Sequence, residues 1–211
     1  MKKFISRFHY LSQDLPNRSH TEQVLTACEA GANWIQYRCL SKSDKDLISE
    51  INQIAMICDD WGATLIITNH YHLLDKVDAQ GVHMENMDAN LGKIRSIITE
   101  EKTLGASAIS FTDIKRIAHE GAADYIGCGP FSFTKTKIND YPLLGIEGYR
   151  AILTEMEQAN IKVPILAVGG IKIEDAAALH QEGVYGIAVS SAVNVAEDPK
   201  SAIKEFRKYF A

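Results

Sequence analysis

The strongest constraint on the fold of this chain is an alternation of short apolar runs with longer amphipathic segments, repeated from one end to the other. The runs fall at residues 9–12, 34–38, 64–67, 81–83, 103–107, 125–128, 165–168 and 186–190. They are too short for helices and read as strands. Between them, apolar residues recur at spacings of three and four. Segment 44–61 places Leu47, Ile48, Ile51, Ile54, Ala55 and Cys58 on one helical face, and segment 21–30 does so with Val24, Leu25 and Cys28. Segments 174–181 and 199–209 behave alike, and Asp44 and Glu174 fall in early turns, where the helix dipole favours negative charge. Strands alternating with helices imply βα units and a parallel sheet. Eight such units in 211 residues predict a single α/β domain over 1–211, a closed (β/α)8 TIM barrel near the small end of its range. An open doubly wound sheet is the alternative.

Composition excludes several function classes. With 46% hydrophobic and 23% charged residues, the chain is neither disordered nor fibrous. A net charge of −5 argues against a nucleic-acid partner, which needs a basic surface. The start, Met1-Lys2-Lys3-Phe4, lacks the apolar core of a signal peptide, and no run is long enough to cross a membrane. A cytoplasmic protein without a membrane partner is expected, and a homo-oligomer is compatible with the chain. Cys28, Cys39, Cys58 and Cys128 show no CxxC pair and no zinc spacing, and read as buried thiols in a reducing compartment. There is no nucleophile elbow, Walker loop or GxGxxG.

A barrel of this kind carries its functional groups at the carboxyl ends of the strands. Gln36 and Arg38 end the second run, with alternate side chains pointing the same way. Thr68 and Asn69 end the third, Asp88 follows the fourth and Ser107 ends the fifth. The sixth leads into Gly127-Cys128-Gly129-Pro130-Phe131-Ser132-Phe133-Thr134-Lys135-Thr136-Lys137. Its glycines let the backbone approach a ligand, and its two hydroxyls and two ammonium groups suit phosphate or pyrophosphate. Gly169-Gly170 and Ser190-Ser191, after the seventh and eighth runs, match the phosphate cup that many barrels build there.

Some residues read two ways. Arg38 suits a phosphate or a salt bridge at the barrel rim. Asp88 suits Mg²⁺ or the N-cap of the helix containing Leu91, Ile94 and Ile97. His70 and His72, two apart, do not face one way on a helix and read as solvated turns. His83 reads as a hydrogen-bonded rim residue.

These pieces, in this order and spacing, resemble the thiamine phosphate synthase family over nearly the whole chain. The most specific is 123–137, and the others are 31–38, 81–84, 167–171 and 186–192. The resemblance implies a Mg²⁺-dependent transferase acting on small phosphorylated substrates. It joins 4-amino-5-hydroxymethyl-2-methylpyrimidine pyrophosphate to 4-methyl-5-(2-phosphoethyl)thiazole and releases pyrophosphate. Gln36, Arg38 and Lys137 are implied to hold the pyrophosphate, with Ser107 beside the reacting centre and Asp88 on Mg²⁺. Thr134 and Thr136 are implied to face the thiazole substrate, and Gly170, Ser190 and Ser191 to bind its phosphate.

The chain departs from the family pattern in three places, one of them a residue pair. Leu40 stands where the family has lysine, with Lys42 nearby. Thr68 and Asn69 stand for an Asn-Asp pair whose aspartate binds Mg²⁺, so Asn69 keeps a ligand oxygen but not the charge. Asn86 stands for a glutamine. Two other readings remain open at this point: a degenerate barrel that binds thiamine phosphate or thiazole phosphate without turnover, and a thiazole tautomerase-like isomerase. The latter type has a catalytic histidine where this chain has Ile109.

Overall fold

The computed structural model describes residues 3–134 and 141–211. Strands β1 (Phe8–Leu11), β2 (Trp34–Tyr37), β3 (Thr64–Thr68), β4 (Gly81–Met84), β5 (Thr103–Ala108), β6 (Tyr125–Cys128), β7 (Ile165–Val168) and β8 (Gly186–Val189) form a closed barrel in sequence order. Every neighbouring pair is parallel, and β1 closes the ring on β8 through Phe8–Ile187, His9–Ala188 and Tyr10–Val189. That closure excludes the doubly wound sheet.

The helices outside the ring are α1 (His20–Glu29), α2 (Asp44–Asp60), α3 (Leu91–Ile98), α4 (Phe111–Glu120), α5 (Gly145–Gln158), α6 (Ala176–Gln181), α7 (Ser191–Asn194) and α8 (Pro199–Phe210). Local chemistry sets where they begin. Ser19 and Glu22 form a reciprocal capping box on α1, while Ser43, Asn90, Ser110 and Asp198 each accept a main-chain N–H at the start of theirs. Three expectations need correction. Asn90, not Asp88, caps α3, which leaves the Asp88 side chain exposed on the preceding loop. Leu25 is exposed, because the buried face of α1 runs through His20, Gln23, Val24, Ala27 and Cys28. No α-helix joins β3 to β4. Asn69 breaks the chain direction at φ 64°, and a single 3₁₀ turn (Tyr71–Leu73) follows.

Alternation along the strands divides the core in two. Outward residues such as Ile35, Tyr37, Leu65, Ile67, Ile126 and Ile187 pack under the helices. Inside the barrel, Trp34, Ile66, Tyr125 and Leu166 form the lower plug with Ile5. One step higher on the same faces stand Gln36, Thr68, Ser107 and Val168, so the pleat that fills the barrel also aims the site residues. Gly105 makes room for this arrangement, since a Cβ there would lie 2.3 Å from the Tyr125 ring and 2.5 Å from His83 Nδ1.

Candidate active site

A cavity opens at the carboxyl ends of the strands, with Gln36, Arg38, Glu85 and Ser107 on one side and Gly170, Ser190 and Ser191 on the other. Gln36 is held in place from β3, its Nε2 donating to Thr68 Oγ1 at 3.0 Å. Thr68 is therefore a buried support that does not line the cavity. The Arg38 guanidinium grips Glu85 through two bonds, Nε to Oε1 at 2.7 Å and Nη2 to Oε2 at 3.2 Å. The rim salt bridge is thus real, and among the described residues Nη1 has no hydrogen-bond partner. Asn69 is tied in as well. Its Oδ1 accepts the Glu85 N–H at 2.8 Å and its own N–H donates to the His83 carbonyl. Lys42 cannot stand in for the lysine missing at Leu40, because its ammonium is bound to Glu50 at 2.7 Å. Leu40 itself is exposed.

Polar rings line the floor. His83 Nε2 lies 3.0 Å from Ser107 Oγ, and His83 Nδ1 lies 3.2 Å from the Tyr125 hydroxyl. Beneath them His9 stacks on Trp34 at 4.6 Å. Burial, and then the nearby His83, hold the His9 imidazole well below its ordinary value of 6.5, although the Ser6 carbonyl opposes this. His9 is therefore neutral near pH 7. The sign of the linkage follows: below pH 6.5 an unfolded chain takes up a proton that the folded one refuses. Stability should fall by up to about 1.4 kcal/mol per pH unit in that range from this residue. Urea unfolding at stepped pH should show a shallower slope for His9→Gln, and parallel slopes would rule the assignment out. Cys128, at the end of β6, is no nucleophile, since burial and then Asp113 push its thiol up to about 12.

The opposite wall is built from main chain. After a cis Gly129–Pro130 bond, the Phe131 and Ser132 N–H groups donate to the Val168 and Gly169 carbonyls. Ser132 Oγ donates to the Gly170 carbonyl at 2.6 Å. Gly169 and Gly170 both have positive φ, 89° and 70°. Ser190 Oγ donates to Gln13 Oε1 and accepts from Asn194 Nδ2, which fixes the β8 end against β1. Thr134 also lines the cavity, whereas Thr136 and Lys137 lie outside the described residues.

Residues 10–193 match the family model described as thiamine monophosphate synthase. The chain belongs to the thiamine monophosphate synthase family. It is 39% identical to the thiamine-phosphate synthase of Phocaeicola vulgatus, over 88% of this chain and 89% of that one. It is 38% identical to that of Bacteroides fragilis, over 92% and 95%. In three dimensions it is similar to a thiamine phosphate pyrophosphorylase from Pyrococcus furiosus, with a TM-score of 0.83, 28% identity and coverage of 96% and 95%.

Gln36, Arg38, Ser107, Thr134, Gly170, Ser190 and Ser191 thus come together around one cavity. Asn69 and Asp88 do not line it, and stand at its β3–β4 edge. Sequence reasoning missed Glu85, His9 and Tyr125. Each had a findable signal: Glu85 is two residues beyond His83 on β4, and His9 and Tyr125 fall on the inward phase of their strands. Among the described residues no helix is long and apolar enough to cross a membrane.

Proposed function

We propose that this barrel catalyses the thiamine-phosphate synthase reaction, joining the pyrimidine pyrophosphate to the thiazole phosphate and releasing pyrophosphate. One observation carries this reading: two anion-suited walls face each other across a single cavity. One is built from side chains, the other from main chain, as two phosphorylated substrates require. On the first wall Arg38 and Gln36 donate to the departing pyrophosphate, and the developing negative charge is where fixed donors lower a barrier most. Ser107, backed by His83 and Tyr125, orients its hydroxyl at the floor near the bond that breaks. Gly170, Ser190 and Ser191 anchor the thiazole phosphate, so that its ring nitrogen approaches the pyrimidine methyl carbon. The thiazole nitrogen is already a nucleophile, so the site requires no general base.

The donors at the β3–β4 edge are oxygens, the chemistry Mg²⁺ selects. The Asp88 carboxylate has no hydrogen bond among the described residues, which fits a ligand that takes one carboxylate plus substrate phosphates. Asp88 and Asn69 would hold the ion, and bound there it would neutralise pyrophosphate charge. Asn69→Asp should lower the Mg²⁺ concentration giving half-maximal turnover by roughly tenfold, because hard cations prefer charged oxygen. An unchanged Mg²⁺ titration would remove Asn69 from the metal site.

Mixing the purified protein with both substrates and Mg²⁺, and following thiamine phosphate as fluorescent thiochrome, tests the function. Turnover abolished by chelator is expected. Tight thiazole phosphate binding with no product would favour the binding-only barrel, which the uncharged Asn69 and the missing lysine at Leu40 support. Ile109 lines the cavity at the position where the isomerase type has its histidine, against the isomerase reading.

A further inference from the structure

A second cluster of chemically able side chains lies behind the β2 rim, outside the synthase cavity. Asp14, His20 and Cys39 come from the β1–α1 loop, the first turn of α1 and the loop after β2, and offer ligand atoms that all lie within 4.8 Å of one another. His20 and Cys39 are buried, whereas Asp14 is partly open to solvent. His20 Nε2 stands 2.9 Å from Asp14 Oδ1. Its other nitrogen, Nδ1, is 2.8 Å from Ser12 Oγ, and the second Asp14 oxygen accepts the Leu40 N–H at 3.2 Å. Metal-bound histidines characteristically engage their outer nitrogen in this way, and metal-bound carboxylates are likewise hydrogen-bonded from behind.

We propose that Asp14, His20 and Cys39 form a binding site for a zinc-class divalent transition metal, with a fourth position open to solvent. The donor set decides the class of ion. A thiolate, an imidazole and a carboxylate suit Zn²⁺ or Co²⁺ and not Mg²⁺, which takes oxygen alone. On binding, the proton that Nε2 donates to Asp14 leaves to solvent, Nδ1 takes one up on the side facing Ser12, and the neutral imidazole coordinates through Nε2. Cys39 releases its thiol proton to solvent and binds as thiolate. The Asp14 carboxyl is already held below its ordinary value: burial opposes this, but bonds from His20, Leu40 and Cys39 outweigh it.

The location gives the site a consequence. Ser12 Oγ also accepts the Arg38 N–H at 3.2 Å, so the ion would clamp α1 to the segment that carries Arg38.

The test is Co²⁺ titration of the reduced full-length protein, read by absorbance. One equivalent should produce a thiolate-to-cobalt charge-transfer band. The Asp44, His70 and His72 group on the barrel rim also holds three potential ligands, but it has no sulfur and cannot give that band. Cys39→Ser should abolish the band, and Ser12→Ala should weaken Co²⁺ binding roughly 10–100-fold. Zn²⁺ should raise the Tm of the native protein and leave that of His20→Asn unchanged, a readout that stands even if Cys39→Ser does not fold. A native protein that gives no thiolate band, or a band that survives Cys39→Ser, would overturn the site.

Discussion

Arg38→Met is expected to lower kcat/KM for thiamine phosphate formation by about 10²–10³-fold, the usual consequence of removing one fixed donor from developing negative charge. The guanidinium is nearly buried and set by Glu85 and by the Ser12–Arg38 main-chain bond, so in the proposed role it would meet pyrophosphate already oriented. Lysine should not rescue it, because a point charge cannot hold Glu85 through two bonds and keep a donor for the ligand. The substitution also removes the bidentate partner of a largely buried carboxylate, which should cost about 2–3 kcal/mol of stability. Arg38→Met combined with Glu85→Gln separates the two effects. The double variant should recover most of the lost stability and none of the lost activity. If the activity returns with the stability, Arg38 is a structural brace, and the pyrophosphate is held by other groups.

How much of this was legible in the sequence depends on the range of the interaction. The barrel was legible because period-two and period-3.6 patterns are local, and eight repeats left little choice of architecture. The rim positions followed from the same phase: Gln36, Ser107 and Gly170 could be placed once their strands were placed. Pairings between elements could not be read this way. Glu85 on Arg38 joins residues 47 apart, and Asn69 turns its oxygen to the Glu85 N–H only because β3 and β4 are neighbours. Lys42 looked able to replace a missing cation until Glu50, on the next helix, was seen to hold it. Cys39 shows the same limit. Its spacing to other cysteines carries no metal pattern, whereas its neighbours in space, His20 and Asp14, come from different elements. The capping of α3 fell to Asn90 over Asp88 by two residues, a distinction that helical periodicity does not resolve.

The bonds from Phe131 and Ser132 to Val168, Gly169 and Gly170 hold the wall after β7 in place, and Gly170→Ala should expose that rigidity. A Cβ at Gly170 would lie 2.4 Å from Ser132 Oγ and 2.6 Å from the Phe133 carbonyl, on a backbone at φ 70° that alanine adopts only with strain. Strain and overpacking together should cost about 2–4 kcal/mol in urea unfolding. Gly121→Ala is the control. It has nearly the same φ, 66°, but nothing within 4 Å of the new Cβ, so it pays for strain alone, about 1 kcal/mol. Loss of the Ser132–Gly170 bond would also let the Pro130–Thr134 segment move away from β7. The KM for the thiazole phosphate should then rise by more than about tenfold, while the KM for the pyrimidine pyrophosphate, proposed to bind on the opposite wall, stays within about twofold. Equal costs in the two alanine variants would show that the segment yields to the new methyl group. An equal rise in both KM values would show that the two walls do not act as separate anion sites.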